Sequence, residues 1–247
     1  MYAIKNRVMR QLWLFLSLVL FQPAIAQNNN EFTFPELDAK IISIWLGAYQ
    51  EDGFEVTQRF VATDDMWQLI REEILEGDLY HFNAEPFLLV QDMLIFEMQV
   101  AIDNDDYLGL SELSYEFLAG FRDVRKFFTN DLYPLDELFS AFDIYGELHY
   151  AVDDPLLGLY EWPEFVRLLD DFEKQFQKYS VVAEPGFDNE GHVLFKLMTQ
   201  RVRDCSSEFR ESLKTAMQNK FVAPCDDTHD ALVELIELYA EPPAALQ

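Results

Sequence analysis

Positive charge is scarce in this chain. Of its 247 residues 18 are Lys or Arg, against 45 Asp or Glu, which gives a formal charge of −27. A field of that sign repels phosphate backbones and anionic lipid, which argues against nucleic-acid or membrane-surface binding. Histidine is thin too, at four residues, and there are two cysteines. Neither a CxxC pair nor HExxH occurs, so the common zinc signatures are missing. The nine glycines never fall into GxGxxG, a P-loop or GxSxG. CxxCH is absent, which removes covalently attached haem. Strand-like alternation never persists long enough to build a sheet.

What is present begins with an address. Lys5, Arg7 and Arg10 precede the apolar run Leu12 to Phe21, and Gln22-Pro23 breaks it before Ala24-Ile25-Ala26. This is the pattern of a secretory signal peptide over residues 1–26, cleaved before Gln27. The run is too short to span a bilayer comfortably. The expectation is a periplasmic or secreted protein with no membrane attachment after cleavage. Residues 27–247 then form one domain. The removed segment carries three basic residues and no acidic ones, so the remainder has a formal charge of −30. Such a surface suits a cationic ligand or protein partner. In an exported chain, Cys205 and Cys225 read as a disulfide closing a loop of about twenty residues. In the chain-entropy model that bond stabilises by about 3 kcal/mol.

The centre of the chain repeats itself. Glu97-Met98-Gln99-Val100-Ala101-Ile102-Asp103 returns as Glu147-Leu148-His149-Tyr150-Ala151-Val152-Asp153. Leu108-Gly109-Leu110 is echoed by Leu157-Gly158-Leu159, and Phe117, Phe121 and Asp123 by Phe165, Leu169 and Asp171. A period near fifty fits a helix–turn–helix unit. Residues 84–180 therefore read as two duplicated helical hairpins. From Phe87 to Ile102 the polar residues are Gln91, Asp92, Glu97 and Gln99, which predicts a helix that is apolar nearly all round and central. Pro134 opens the second hairpin, Asp153-Asp154-Pro155 caps its return helix, and Pro163 predicts a kink or restart at Trp162.

Flanking helices complete the fold class, an all-α antiparallel bundle. Leu37, Ile41, Ile44, Trp45 and Tyr49 mark a helix over 34–49, stopped by Glu51-Asp52-Gly53. Thr63, Asp64 and Asp65 resemble an N-cap for a second helix that ends at Gly77. Pro185, Gly186 and Gly191 predict a loop over 181–191. The segment 192–240 holds a long helix to about Met217 and a last one from Asp227 to Tyr239, with the expected disulfide between them. The long helix is locally basic and could lie against the acidic hairpins.

No catalytic set stands out, so the leading expectation is a non-enzymatic binding or interaction module without a cofactor. The alternative is a metal- or haem-binding bundle with a redox or metal-carrier role. Its candidate ligands are Glu97, Glu147, His81, His229 and Asp226, drawn from the repeated Glu and from Asp78-x-x-His81 and Asp226-x-x-His229. Met93 or Met98 with a His could hold a non-covalent haem. Glu97 has Met93, Leu94, Val100 and Ala101 at its helical neighbour positions. A carboxylate among apolar residues needs a cation, because an unpaired buried charge is costly. Arg201 and Arg203 are the nearest plausible source.

Overall fold

Eight α-helices and one short 3₁₀ turn account for the described residues of the computed structural model, 34–76, 84–128, 133–153, 162–183, 187, 189–215 and 218–240; no strand occurs among them. The chain is all-α. The helices are α1 (Phe34–Tyr49), α2 (Gly53–Glu76), α3 (Ala84–Asp103), α4 (Tyr107–Phe128), α5 (Pro134–Asp153), α6 (Trp162–Ala183), α7 (Asn189–Thr215) and α8 (Val222–Glu237). None is long and apolar enough to cross a membrane. The expected signal peptide, His81, Gly77 and the Asp154-Pro155 cap lie outside the described residues.

Two turns share one chemistry. After α1, the Glu51 N–H donates to the Ala48 carbonyl at 3.1 Å and the Asp52 N–H to the Gly47 carbonyl at 3.0 Å. After α3, Asp105 donates to Ile102 at 3.2 Å and Asp106 to Ala101 at 2.9 Å. Both are Schellman closures, with Glu51 and Asp105 in the left-handed region at φ 56° and 53°. In each turn the next residue caps the following helix. Asp52 Oδ1 accepts the Glu55 N–H at 3.2 Å, and Asp106 Oδ1 accepts the Gly109 N–H at 3.0 Å. The acidic gaps are therefore paired stop and start signals.

Several boundaries differ from the sequence pattern. Thr63 does not start a helix: α2 runs unbroken through it, and its hydroxyl donates back to the Arg59 carbonyl at 2.8 Å. A buried Thr satisfies itself in this way inside a helix, which removes the need for a cap. Pro163 sits in the first turn of α6 and Pro224 in that of α8, where a missing N–H costs nothing. Helix α6 continues past Val181 to Ala183, and α8 begins five residues ahead of Asp227.

That earlier start corrects the disulfide. Cys205 and Cys225 are buried but not bonded to each other. Each lies on its own helix with a separate polar neighbour. Tyr145 donates to the Cys225 carbonyl at 2.8 Å, with the sulfur at 3.5 Å, while Cys205 has the Thr228 hydroxyl nearby. Burial pushes the Cys205 thiol up.

Packing closes two rings. Helix α1 lies against α2 and α4, and α3 packs on the same two helices. Helix α5 lies against α6 and α8, and α7 packs on those two in turn. Trp67 fills the first ring, edge-on to Phe87, Phe117 and Phe121 with centroids 5.6–6.4 Å away. Its indole N–H is satisfied by Asp92 at 2.8 Å. Phe165, Phe209 and Phe221 cluster in the second ring. Helix α1 also touches α8, which links the rings.

Candidate functional site

Helix α3 has two apolar faces, and its ring uses one. Leu88, Gln91, Leu94, Ile95, Met98 and Ala101 point inward and are buried. On the other side Leu89, Met93, Phe96 and Val100 are 62, 54, 68 and 42 % exposed. Their spacing of four, three and four residues draws one stripe down the helix. Val90 lies beside it and is also exposed. The helix contains no Lys or Arg, and the exposed Glu85, Glu97 and Asp103 border the stripe. Past its end Asp105 and Asp106 are exposed as well.

This arrangement overturns two expectations. Helix α3 is not sheathed on all sides, because a four-helix ring buries one side of each member. Glu97 is exposed rather than interior, so water solvates it and no cation is required. The candidate partners are engaged elsewhere. Arg201 reaches Glu234 at 3.0 Å and Asp227 at 3.2 Å on α8, and Arg203 donates to the Ser180 hydroxyl at 3.2 Å. Arg201 thus pairs with α8 and Arg203 with α6, and Arg210 reaches Asp170 and Glu173 of α6 as well.

Among the described residues the most deeply buried charges belong to a different group. Asp38 on α1 and Arg125 on α4 are each 3 % exposed at the side chain. The Arg125 Nη1 donates to both Asp38 carboxylate oxygens, at 3.0 and 2.9 Å, and its Nε and Nη2 grip Asp136 on α5. The Tyr133 hydroxyl donates to Asp38 at 2.9 Å, and its ring lies 4.5 Å under the guanidinium. Burial pushes the Asp38 carboxyl above its usual range, against the pull of Arg125 and Tyr133. For Arg125 burial opposes the charge, but the two carboxylates outweigh it and hold the guanidinium charged. The cluster ties α4 to α1 and to α5. It was missed, although Asp38 carries the same signal that singled out Glu97: Phe34, Pro35, Ile41 and Ile42 are its helical neighbours.

The proposed metal ligands are not brought together. Glu97 is on α3. Glu147 is exposed on α5, in a groove of about 660 Å³ shared with Arg167, Asp171 and Lys174 of α6. Asp226 is exposed on α8, and His81 is not described. His229 is half-buried among the rings of Tyr49, Phe142 and Tyr145, about 6 Å from each. No group of three or more His, Cys, Asp or Glu placed to hold a metal occurs among the described residues. Met93 and Met98 lie on opposite faces of α3, one exposed and one buried. His149 is half-buried beside Tyr145.

No family model, curated protein or solved structure matches this chain.

Proposed function

We propose that this protein is an exported, non-enzymatic binding module whose α3 face seats a cationic amphipathic helix of a partner protein. The observation that carries the reading is the solvent-exposed Leu89–Met93–Phe96–Val100 stripe on a helix whose charged residues are all acidic. Covering apolar side chains of this size returns on the order of 1–2 kcal/mol each. A helix laid along such a stripe meets it through its own residues at steps of three and four. The carboxylates bordering the stripe select a basic partner and speed its approach. A second copy of this chain fits poorly, because once residues 1–26 are removed it would bring another −30 against the same acidic border. Met93 and Phe96 add a pliable, polarisable surface of the kind used to accept varied helices. Export rests on the basic and apolar pattern of residues 1–26 and places the encounter in the periplasm or outside the cell.

The finer architecture belongs to the same proposal: residues 84–180 are a duplicated hairpin within a helical bundle. In support, Leu88, Gln91, Ile95 and Met98 of α3 are buried, and so are Leu138, Ala141, Tyr145 and Leu148 fifty positions on. Phe117 and Phe121 of α4 match Phe165 and Leu169 of α6, all fully buried. The two preceding helices complete the first hairpin into a ring, and the two following helices complete the second.

A synthetic Leu/Lys amphipathic helix titrated into the protein tests the reading. Amide-exchange protection should concentrate on α3, weaken with added salt and disappear in a Met93→Ser/Phe96→Ser variant. Both positions are exposed, so the variant should fold. Equal binding by that variant, or protection confined to other helices, would sink the proposal. Concentration-dependent dimers that bury α3 would make a second copy the occupant instead.

A further inference from the structure

Helix α5 shows what covers the face that α3 leaves bare. Phe139 and Asp143 stand fifty positions after Leu89 and Met93, at the same places in the repeated hairpin. Phe139 is 1 % exposed, whereas Leu89 is 62 % exposed. The difference is α4, which meets α5 through one of its sides. The Tyr115 ring packs against Phe139 and Phe142 with centroids 5.4 and 6.1 Å away. The Tyr115 hydroxyl donates to Asp143, and so does Arg122 Nη1 at 2.7 Å. The Arg122 guanidinium also lies 6.0 Å from the centre of the Phe139 ring. Further along α4, Arg125 reaches Asp136. Contacts step forward along α4 as they step back along α5, so the two helices run antiparallel here.

The far end of α3 carries the second observation. The Tyr107 hydroxyl lies 3.4 Å from Asp105 and against Gly53, where it leaves no room for a Cβ. The two acidic turns are therefore neighbours. Glu51, Asp52, Asp103, Asp105 and Asp106 are all exposed there, and neither turn contains Lys or Arg. Helices α1 and α3 both end at this point, so the negative poles of two helix dipoles add to the carboxylates. The first turn of α3 has Glu85 and the positive pole instead.

We infer that the helix seated on α3 runs antiparallel to it, its basic N-terminal half over the acidic turns and an aromatic side chain over Leu89. This rests on the α3 docking reading and deepens it, naming the direction and the charge order of the partner. An antiparallel helix brings its own positive pole to the carboxylates and to the negative poles of α1 and α3. Lysines in that half meet the same field, whereas in the other half they would face the positive pole of α3. An aromatic ring in the place of Tyr115 covers Leu89 as Tyr115 covers Phe139.

Two stapled Leu/Lys helices of equal composition, matched in helicity by circular dichroism, test this on the full chain. One carries its lysines in the N-terminal half and a Trp in the C-terminal half; the other has the reverse order. The first should bind about fivefold more tightly or better. A nitroxide on its N-terminus should broaden the amide signals of Gly53 and Asn104, and one on its C-terminus those of Glu85 and Phe87. Asp103→Asn/Asp105→Asn should bring the two affinities to within about twofold of each other. Asn accepts the left-handed position, so that variant keeps the turn. Equal affinities in the native protein, broadening in the opposite order, or a preference untouched by the double variant would overturn this inference and leave the α3 reading standing. Absence of amide-exchange protection on α3 with either helix would overturn both.

Discussion

At the scale of single residues, the Asp38–Arg125–Asp136 group is the most consequential. One guanidinium compensates two carboxylates, Asp38 buried and Asp136 half-buried, so deleting it strands a buried charge at Asp38. Arg125→Leu should cost about 3–5 kcal/mol by urea unfolding. Adding Asp38→Asn should recover a large part, because the stranded buried charge disappears. Additive losses in the double variant would show that the three groups act independently. The cysteines give a second test. Both should resist alkylation in the native protein and react on unfolding without prior reduction, and reductant should leave the melting temperature unchanged. Labelling that required reductant would reinstate a bond between them.

At the scale of elements, the two acidic turns show how this chain punctuates helices with little glycine. A left-handed conformation costs a residue with a Cβ roughly 1 kcal/mol or more. Asp105→Gly should therefore stabilise by up to about 1 kcal/mol, although Gly is ordinarily the more costly residue to order. Asp106→Ala removes the cap on α4 and should destabilise by about 1 kcal/mol. Thermal unfolding of the two variants should move the melting temperature in opposite directions. A shift of the same sign in both would contradict the stop-and-start reading. Helix α3 makes the complementary point, since its inner stripe satisfies the ring while its outer stripe serves nothing inside the fold.

At the scale of the whole molecule, charge sets the behaviour. If every Lys and Arg paired with one carboxylate, 27 carboxylates would still repel one another. Exposed pairs such as Arg167 with Glu164 and Asp171 contribute little each and are themselves screened. Repulsion should win, so the melting temperature should rise as moderate salt is added. A fall over that range would mean that the ion pairs, including the Arg201 and Arg210 clusters, outweigh the excess. The same excess should keep the protein monomeric at low salt despite the bare α3 stripe.

Periodicity and punctuation were legible without any structure. The stripe of Leu37, Ile41, Ile44 and Trp45 specifies α1, the Glu51-Asp52-Gly53 break ends it, and Pro134 opens α5, because these depend on contacts within a few residues. The fifty-residue echo likewise locates four helices. Burial of charge was not legible. Glu97 and Asp38 present the same local picture, a carboxylate with apolar neighbours a turn away, yet one faces water and the other is closed in by Arg125 and Tyr133. Local sequence states which faces of a helix are apolar; which face is covered depends on helices that arrive from far along the chain. Cys205 and Cys225 failed for the same reason, since spacing along the chain says nothing of the helices on which two thiols are held.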